Sequence, residues 1–146
     1  MNTTPSAEDW MQLALAQAKQ GQQQGEVPVG AVLVHEGQVI GAGYNQPISA
    51  HDPSAHAEMV AIRAAAARLG DYRLAGCDLY VTLEPCCFHG RTPPCAEALL
   101  RAGVARVVAA MQDPNPLVAG RGLALLREAG IETFAGVLEA EARELN

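Results

Sequence analysis

No apolar run in this sequence approaches the ~20 residues of a membrane-spanning helix, so a bilayer-threaded helical protein is excluded. The first residues, Met1-Asn2-Thr3-Thr4-Pro5, lack the charged-then-apolar order of a signal peptide, which makes a cytoplasmic location the default expectation. Lysine is nearly absent: Lys19 stands alone, and no Lys/Arg run is present. Ten basic against sixteen acidic residues leave a net charge of -6. Non-specific nucleic-acid binding rests on neutralising phosphates, and this chain is poorly equipped for it. There are also no internal repeats, no linker and no low-complexity tract, so 1–146 is expected to form one domain, large enough to bury a single core.

What the sequence does have is clustered cysteine. Three of its four cysteines, Cys86, Cys87 and Cys95, lie within ten residues. A reducing compartment favours metal binding or catalysis over disulfides for such a group. Upstream stands His56-Ala57-Glu58. One imidazole and two thiols, His56, Cys86 and Cys95, fill three of the four tetrahedral positions of one zinc ion per chain and leave one open, the pattern of a catalytic site. Zinc lowers the pKa of a bound water to about 7. Glu58, two residues from the histidine, is then placed to carry a proton to a ring nitrogen and on to a leaving amine. The reaction that fits is hydrolysis at an amidine carbon of a heterocycle with release of ammonia.

Local patterns supply the scaffold. Ser6 as N-cap with Glu8 and Asp9 in the first turn predicts a helix to about Gly21, with Trp10 as a core anchor. Val27 to His35 and Gln38 to Tyr44 read as strands joined at Glu36-Gly37 in a hairpin. The loop 45–54 carries Pro47, Asp52 and Pro53, and Ala55 to Leu69 reads as an alanine-rich helix with His56 and Glu58 in its first turn. A strand Asp78 to Leu83, a helix Cys95 to Ala102 closed by Gly103, and a doubly buried strand Val104 to Met111 follow. A helix Gly122 to Ala129, a strand Ile131 to Phe134 and a closing helix Leu138 to Leu145 complete the set. The expected fold class is α/β: three α/β/α layers around a five-stranded mixed sheet, with ligands beyond the carboxyl ends of strands, at the loops after Leu83 and Met111. A cysteine at a helix start also gains from free N–H groups, which favour the thiolate form.

His-x-Glu followed by Pro-Cys is the signature of base-acting zinc deaminases. On His56-Ala57-Glu58 and Pro85-Cys86 the chain resembles the cytidine and deoxycytidylate deaminase superfamily, and the cytidine deaminase-like fold is what that resemblance implies. From Trp10 to Cys86 it is similar to bacterial tRNA adenosine deaminases, through Val27-Pro28-Val29-Gly30-Ala31-Val32, Gly43-Tyr44-Asn45-Gln46-Pro47, His51-Asp52-Pro53-Ser54-Ala55-His56-Ala57-Glu58 and Tyr80-Val81-Thr82-Leu83-Glu84-Pro85-Cys86. From Cys86 onward it is similar to the deaminase domain of the bifunctional riboflavin-pathway enzyme, through Cys86-Cys87-Phe88-His89-Gly90-Arg91-Thr92-Pro93-Pro94-Cys95 and Asp113-Pro114-Asn115-Pro116. A recombinant or designed chain is one origin for such a division. The residue three after Cys86 is His89, where the tRNA enzymes carry their second thiol, which leaves that role to Cys95. Glu26, Pro28 and Asn45 stand where the riboflavin family carries other residues. The basic C-terminal helix of the tRNA enzymes is not seen.

The resemblance implies an adenosine-type base pocket with Val27, Pro28 and Asn45, in which Asn45 bonds a ring edge. Its alternative is a turn residue. Arg91 suits a substrate phosphate or ribose, or is a solvated loop charge. Asp113 and Asn115 line the same site or are plain loop chemistry. His89 lines the pocket, or displaces Cys95 as third ligand. Cys87 reads as a packed thiol near the site, Cys77 as core or strand edge, His35 and His51 as hairpin-end and loop residues, and Glu84 as an anchor for the segment before Cys86.

A complete Cys86-to-Cys95 loop with Arg91 and the Asp113 motif favours a phosphorylated small molecule, the riboflavin-pathway diaminopyrimidine nucleotide. Adenosine in tRNA, or a free purine or cytosine base, is the alternative. An expectation of another class is a zinc-stapled scaffold, in which Cys87 or His89 closes the fourth position and Glu58 has no purpose. The family resemblance also implies a homodimer or higher homo-oligomer.

Overall fold

The structure is a computed structural model, and it describes residues 4–87 and 94–146. Five strands form one sheet in the order β2-β1-β3-β4-β5. They are β1 (Gly30–His35), β2 (Gln38–Tyr44), β3 (Asp78–Val81), β4 (Arg106–Ala109) and β5 (Glu132–Ala135), and the helices are α1 (Ala7–Gln23), α2 (Ala57–Leu69), α3 (Cys95–Ala102), α4 (Arg121–Glu128) and α5 (Glu139–Leu145). β1 runs antiparallel to β2 and to β3, while β3, β4 and β5 are parallel. The expected mixed sheet is therefore the one observed.

Strand alternation divides the core into two layers. Ala31, Leu33, Leu79, Val81, Val107 and Ala109 face the buried sides of α2, α3 and α4, whereas Val32, Val34, Tyr80 and Val108 face Met11, Ala14 and Leu15 of α1 and Ala142 of α5. Each fully buried leucine or valine contributes roughly 1.5–3 kcal/mol. The central strands are apolar on both faces because helices cover both.

Several boundaries move from the sequence reading for local reasons. β1 begins at Gly30 rather than Val27; Pro28 has no N–H for a ladder, and Val29 turns back to bond the Val27 carbonyl. The hairpin turns through Glu36 and Gly37, both at positive φ, as a two-residue loop requires. α1 starts as expected, with a capping box in which Ser6 and Asp9 exchange hydrogen bonds. α2 starts two residues late, because His56 is still extended (φ -78°, ψ 155°). Trp10 packs at the edge of the second core layer, and Cys77 is fully buried.

One close approach places α2. A Cβ on Gly43 would lie 2.6 Å from the Val60 Cβ and 2.9 Å from the Ala57 carbonyl oxygen, so only glycine lets the first turns of α2 settle directly on β2. The antiparallel start of the sheet brings the amino end of β1, the carboxyl ends of β2, β3 and β4, and the first residues of α2 and α3 to one edge. No described helix is long and apolar enough to cross a membrane.

Candidate active site

At that edge His56, Cys86 and Cys95 come together, with ligand atoms all within 4.8 Å of one another. His56 precedes α2, Cys86 follows β3, and Cys95 opens α3. His56 Nδ1 lies 3.3 Å from Cys95 Sγ. The Cys95 backbone N–H donates to Cys86 Sγ at 3.2 Å, and the Ala96 N–H donates to the Cys86 carbonyl at 3.1 Å. The first two N–H groups of the helix, otherwise unpaired, thus meet one residue, one at its sulfur and one at its carbonyl oxygen.

Electrostatics follow from this packing. The Cys95 thiol, with further help from His56, holds the Cys86 thiol down to about 4 against the opposing effect of burial, so Cys86 is a thiolate at neutral pH. Cys95 itself is pushed far up, first by its hydrogen bond to Cys86, then by burial and by the Glu58 charge. The hydrogen bond to Cys86 raises His56, against burial. Glu58 is only 5% exposed, and burial lifts its carboxyl to about 7.

A cavity of about 160 Å³ opens onto these groups, lined by Val27, Val29, Asn45, Leu83, Glu84 and Asp113 together with His56, Glu58, Cys86 and Cys95. An apolar cavity of about 150 Å³ accommodates benzene, so this one holds a single ring. Asn45 lines the cavity, and its Oδ1 accepts from the Ala57 N–H at 2.8 Å, capping α2 where His56 supplies no side-chain cap.

Of the other sequence candidates, Pro28 is half-buried beside Val27, and its carbonyl accepts from the Asn146 side chain. Asn115 is exposed and folded back on its own loop, its Oδ1 bonded to the Leu117 N–H, so it lies outside the cavity wall. The roles expected for His89 and Arg91 fall outside the described residues. Cys87 donates its thiol toward the Leu117 carbonyl at 3.7 Å and does not join the donor group. Val29 and Leu83 were not singled out in the sequence. Their signal was position, at the ends of strands that point to the site.

A histidine nitrogen, a thiolate and a second thiol within reach of each other suit zinc, and the two sulfurs disfavour a hard cation. The match to known proteins agrees. The model of the cytidine and deoxycytidylate deaminase zinc-binding region matches residues 4–111, and the chain belongs to that family. Its fold is cytidine deaminase-like, and His56, Cys86 and Cys95 form the group of donors that could hold the metal of that zinc-binding region. The riboflavin biosynthesis protein RibD of Escherichia coli is 52% identical over 118 residues, which is 81% of this chain and 30% of that protein. The crystal structure of a diaminohydroxyphosphoribosylaminopyrimidine deaminase/5-amino-6-(5-phosphoribosylamino)uracil reductase from Thermotoga maritima superposes with a TM-score of 0.82 at 40% identity, covering 95% of this chain and 38% of that one. A structure of a tRNA deaminase of A-to-I editing at the wobble position of transfer RNA gives a TM-score of 0.82 at 36% identity, covering 94% of this chain and 98% of that one. The chain spans about a third of the length of the curated RibD relatives it matches. Similarity to the riboflavin-pathway proteins runs through both halves, so the comparisons do not support a division of the chain into two ancestries.

Proposed function

We propose that the chain removes a ring amino group from the riboflavin-pathway substrate diaminohydroxyphosphoribosylaminopyrimidine and releases ammonia. The observation that carries this reading is the similarity to RibD, 52% identical over most of the chain. The single-ring cavity is compatible with it, since a pyrimidine fits inside while ribose and phosphate extend outward. Arg91 is proposed to meet the phosphate.

His56, Cys86 and Cys95 would hold the zinc, which when bound supplies a Lewis acid that activates water near neutral pH. Binding needs thiolates, so it would release the proton that Cys95 retains. The chain's own groups do the rest. Glu58 is close to neutral pH in its affinity for a proton, so it can take and give one twice: the first proton of the attacking water goes to a ring nitrogen, and its second goes to the departing amine. Val27, Val29 and Leu83 flank the ring and keep bulk water out. The Asn45 oxygen is spent on Ala57, so its amide hydrogens are the groups left to meet an acceptor on the ring edge.

A screen for ammonia release tests the proposal, with the diaminopyrimidine nucleotide, adenosine, adenine, guanine, cytosine, cytidine and a tRNA anticodon stem-loop as substrates. Fastest turnover of the diaminopyrimidine nucleotide is expected; no turnover of it alongside turnover of another substrate would overturn the reading. The second reading, adenosine in tRNA, is favoured by the similarity to the wobble-position tRNA deaminase over 98% of that chain and by the Val27-Pro28 and Asn45 pattern. The net charge of -6 counts against it. A homodimer or higher homo-oligomer is part of the proposal, checked by sedimentation.

A further inference from the structure

Glu84 has only 2% of its surface exposed and takes no part in the proton transfers, yet its carboxylate collects three backbone donors. Oε1 accepts from the N–H of Asp113 at 3.1 Å and of Gly120 at 2.8 Å, and Oε2 accepts from that of Leu123 at 3.0 Å. Gly120 is the N-cap position of α4, which receives no side-chain cap of its own and has no acidic residue in its first turn. A carboxylate from the segment after β3 therefore caps α4 from a distance, where the helix dipole favours negative charge. The same segment is held twice more. The Glu84 N–H donates to the Met111 carbonyl at 3.0 Å, and the Pro85 carbonyl sits against Gly122 so closely that a Cβ there would overlap it.

Cys86 follows directly. Its other contacts among the described residues are the N–H groups of Cys95 and Ala96 at the start of α3, the Cys95 thiol and His56. We infer that Glu84 is a positioning residue for the metal centre: by tying Glu84-Pro85 to α4 and to Asp113 it sets where the Cys86 sulfur stands relative to His56 and Cys95, and it fixes the Asp113 wall of the cavity. Zinc–sulfur bonds of about 2.3 Å tolerate little displacement of a donor. Loss of such support from outside the ligand set typically weakens metal binding by about 10- to 100-fold.

The inference rests on the zinc site and not on the choice of substrate, and its test reads metal binding directly. Zinc affinity is measured by chelator competition, and the ligand-field spectrum is recorded after cobalt substitution, in the unaltered chain, Glu84→Gln, Gly122→Ala and Leu74→Ala. Glu84→Gln replaces one acceptor by a donor facing an N–H. Gly122→Ala displaces Pro85 from the other side with Glu84 intact. Leu74→Ala is a core truncation at the opposite end of the sheet and serves as a destabilised comparator. Weaker zinc binding by about 10- to 100-fold and a shifted cobalt spectrum are expected in Glu84→Gln or Gly122→Ala, with Leu74→Ala unchanged in both. Unaltered affinity and spectrum in whichever of these two variants folds, with only a lower Tm, would overturn the inference. So would failure of both to fold while Leu74→Ala folds, since the clamp would then be a determinant of the fold. An unaltered chain that binds no zinc would instead count against the zinc assignment.

Discussion

At the carboxyl end of β3 the polar side chains of Thr82 and Glu84 are buried, whereas at the amino ends of β3 and β4 those of Asp78 and Arg106 meet solvent. Glu26, Glu58, Thr82 and Glu84 are the buried polar residues among those described, and Glu58 and Glu84 line the cavity. At the far end Arg106 reaches Asp78 at 3.8 Å and Glu132 at 2.8 Å, and lies over the Phe134 ring at 5.6 Å, with Arg106 and Glu132 well exposed. The difference is one of partner. Thr82 takes the Gly30 N–H, Glu26 takes those of Ile48 and Ser49, and Glu84 takes three more, so each is held by backbone. Only Glu58 is not fastened to a neighbouring strand or loop by a backbone N–H, and it is the one proposed to handle protons. Burial is what raises it, with the Cys86 charge adding to this and His56 opposing it, while its neighbours serve to build walls.

The sharpest way to break this contrast is Glu58→Gln, expected to retain zinc and to lower kcat by about a hundred- to ten-thousandfold. Ammonia release together with metal analysis checks it, and undiminished turnover would remove Glu58 from the mechanism. Thr82→Val comes next. It leaves the buried Gly30 N–H without an acceptor at a cost of about 1–3 kcal/mol, read by denaturant unfolding, with zinc retained.

Glu26 sharpens the comparison through pH. Burial alone would push its carboxyl up, but the hydrogen bonds from Ser49 and Ile48 together outweigh that and hold it below the ordinary value. Its folded pKa is thus lower than its unfolded one. The stability it contributes is present above the ordinary glutamate pKa of about 4.3 and is lost as pH falls through the lowered folded value. The stability gap between Glu26→Gln and the unaltered chain should therefore narrow on acidification, and KM should rise in the variant because the loop 45–54 is freed beside the cavity. A gap that stays constant with pH would show that Glu26 acts through packing alone. The smallest effect belongs to the other end: Arg106→Ala should change stability by only about 0.2–1 kcal/mol and leave turnover unaltered, since exposed ion pairs are screened.

Much of this was legible in the chain because it is written in short-range chemistry. Alternation and β-branching marked β2, Pro94 and Gly103 bracketed α3 to the residue, and the spacing of His56, Glu58, Cys86 and Cys95 pointed to one metal and one proton carrier. Less legible were the starts of β1 and α2, where Pro28 and an extended His56 delayed each element. The double task of Asn45, as a cap for α2 and as cavity wall, depends on β2 ending beside the α2 N-terminus, and no local pattern reports that.

The sequence by itself picked out His56, Cys86 and Cys95 as donors suited to one zinc ion, because zinc chemistry depends on residue type. Only the tertiary structure decided which glutamates are held by backbone N–H groups of other segments and which is not. Glu26, Glu58 and Glu84 are the same side chain in sequence, and their difference comes from backbone N–H groups delivered by segments as distant as Leu123.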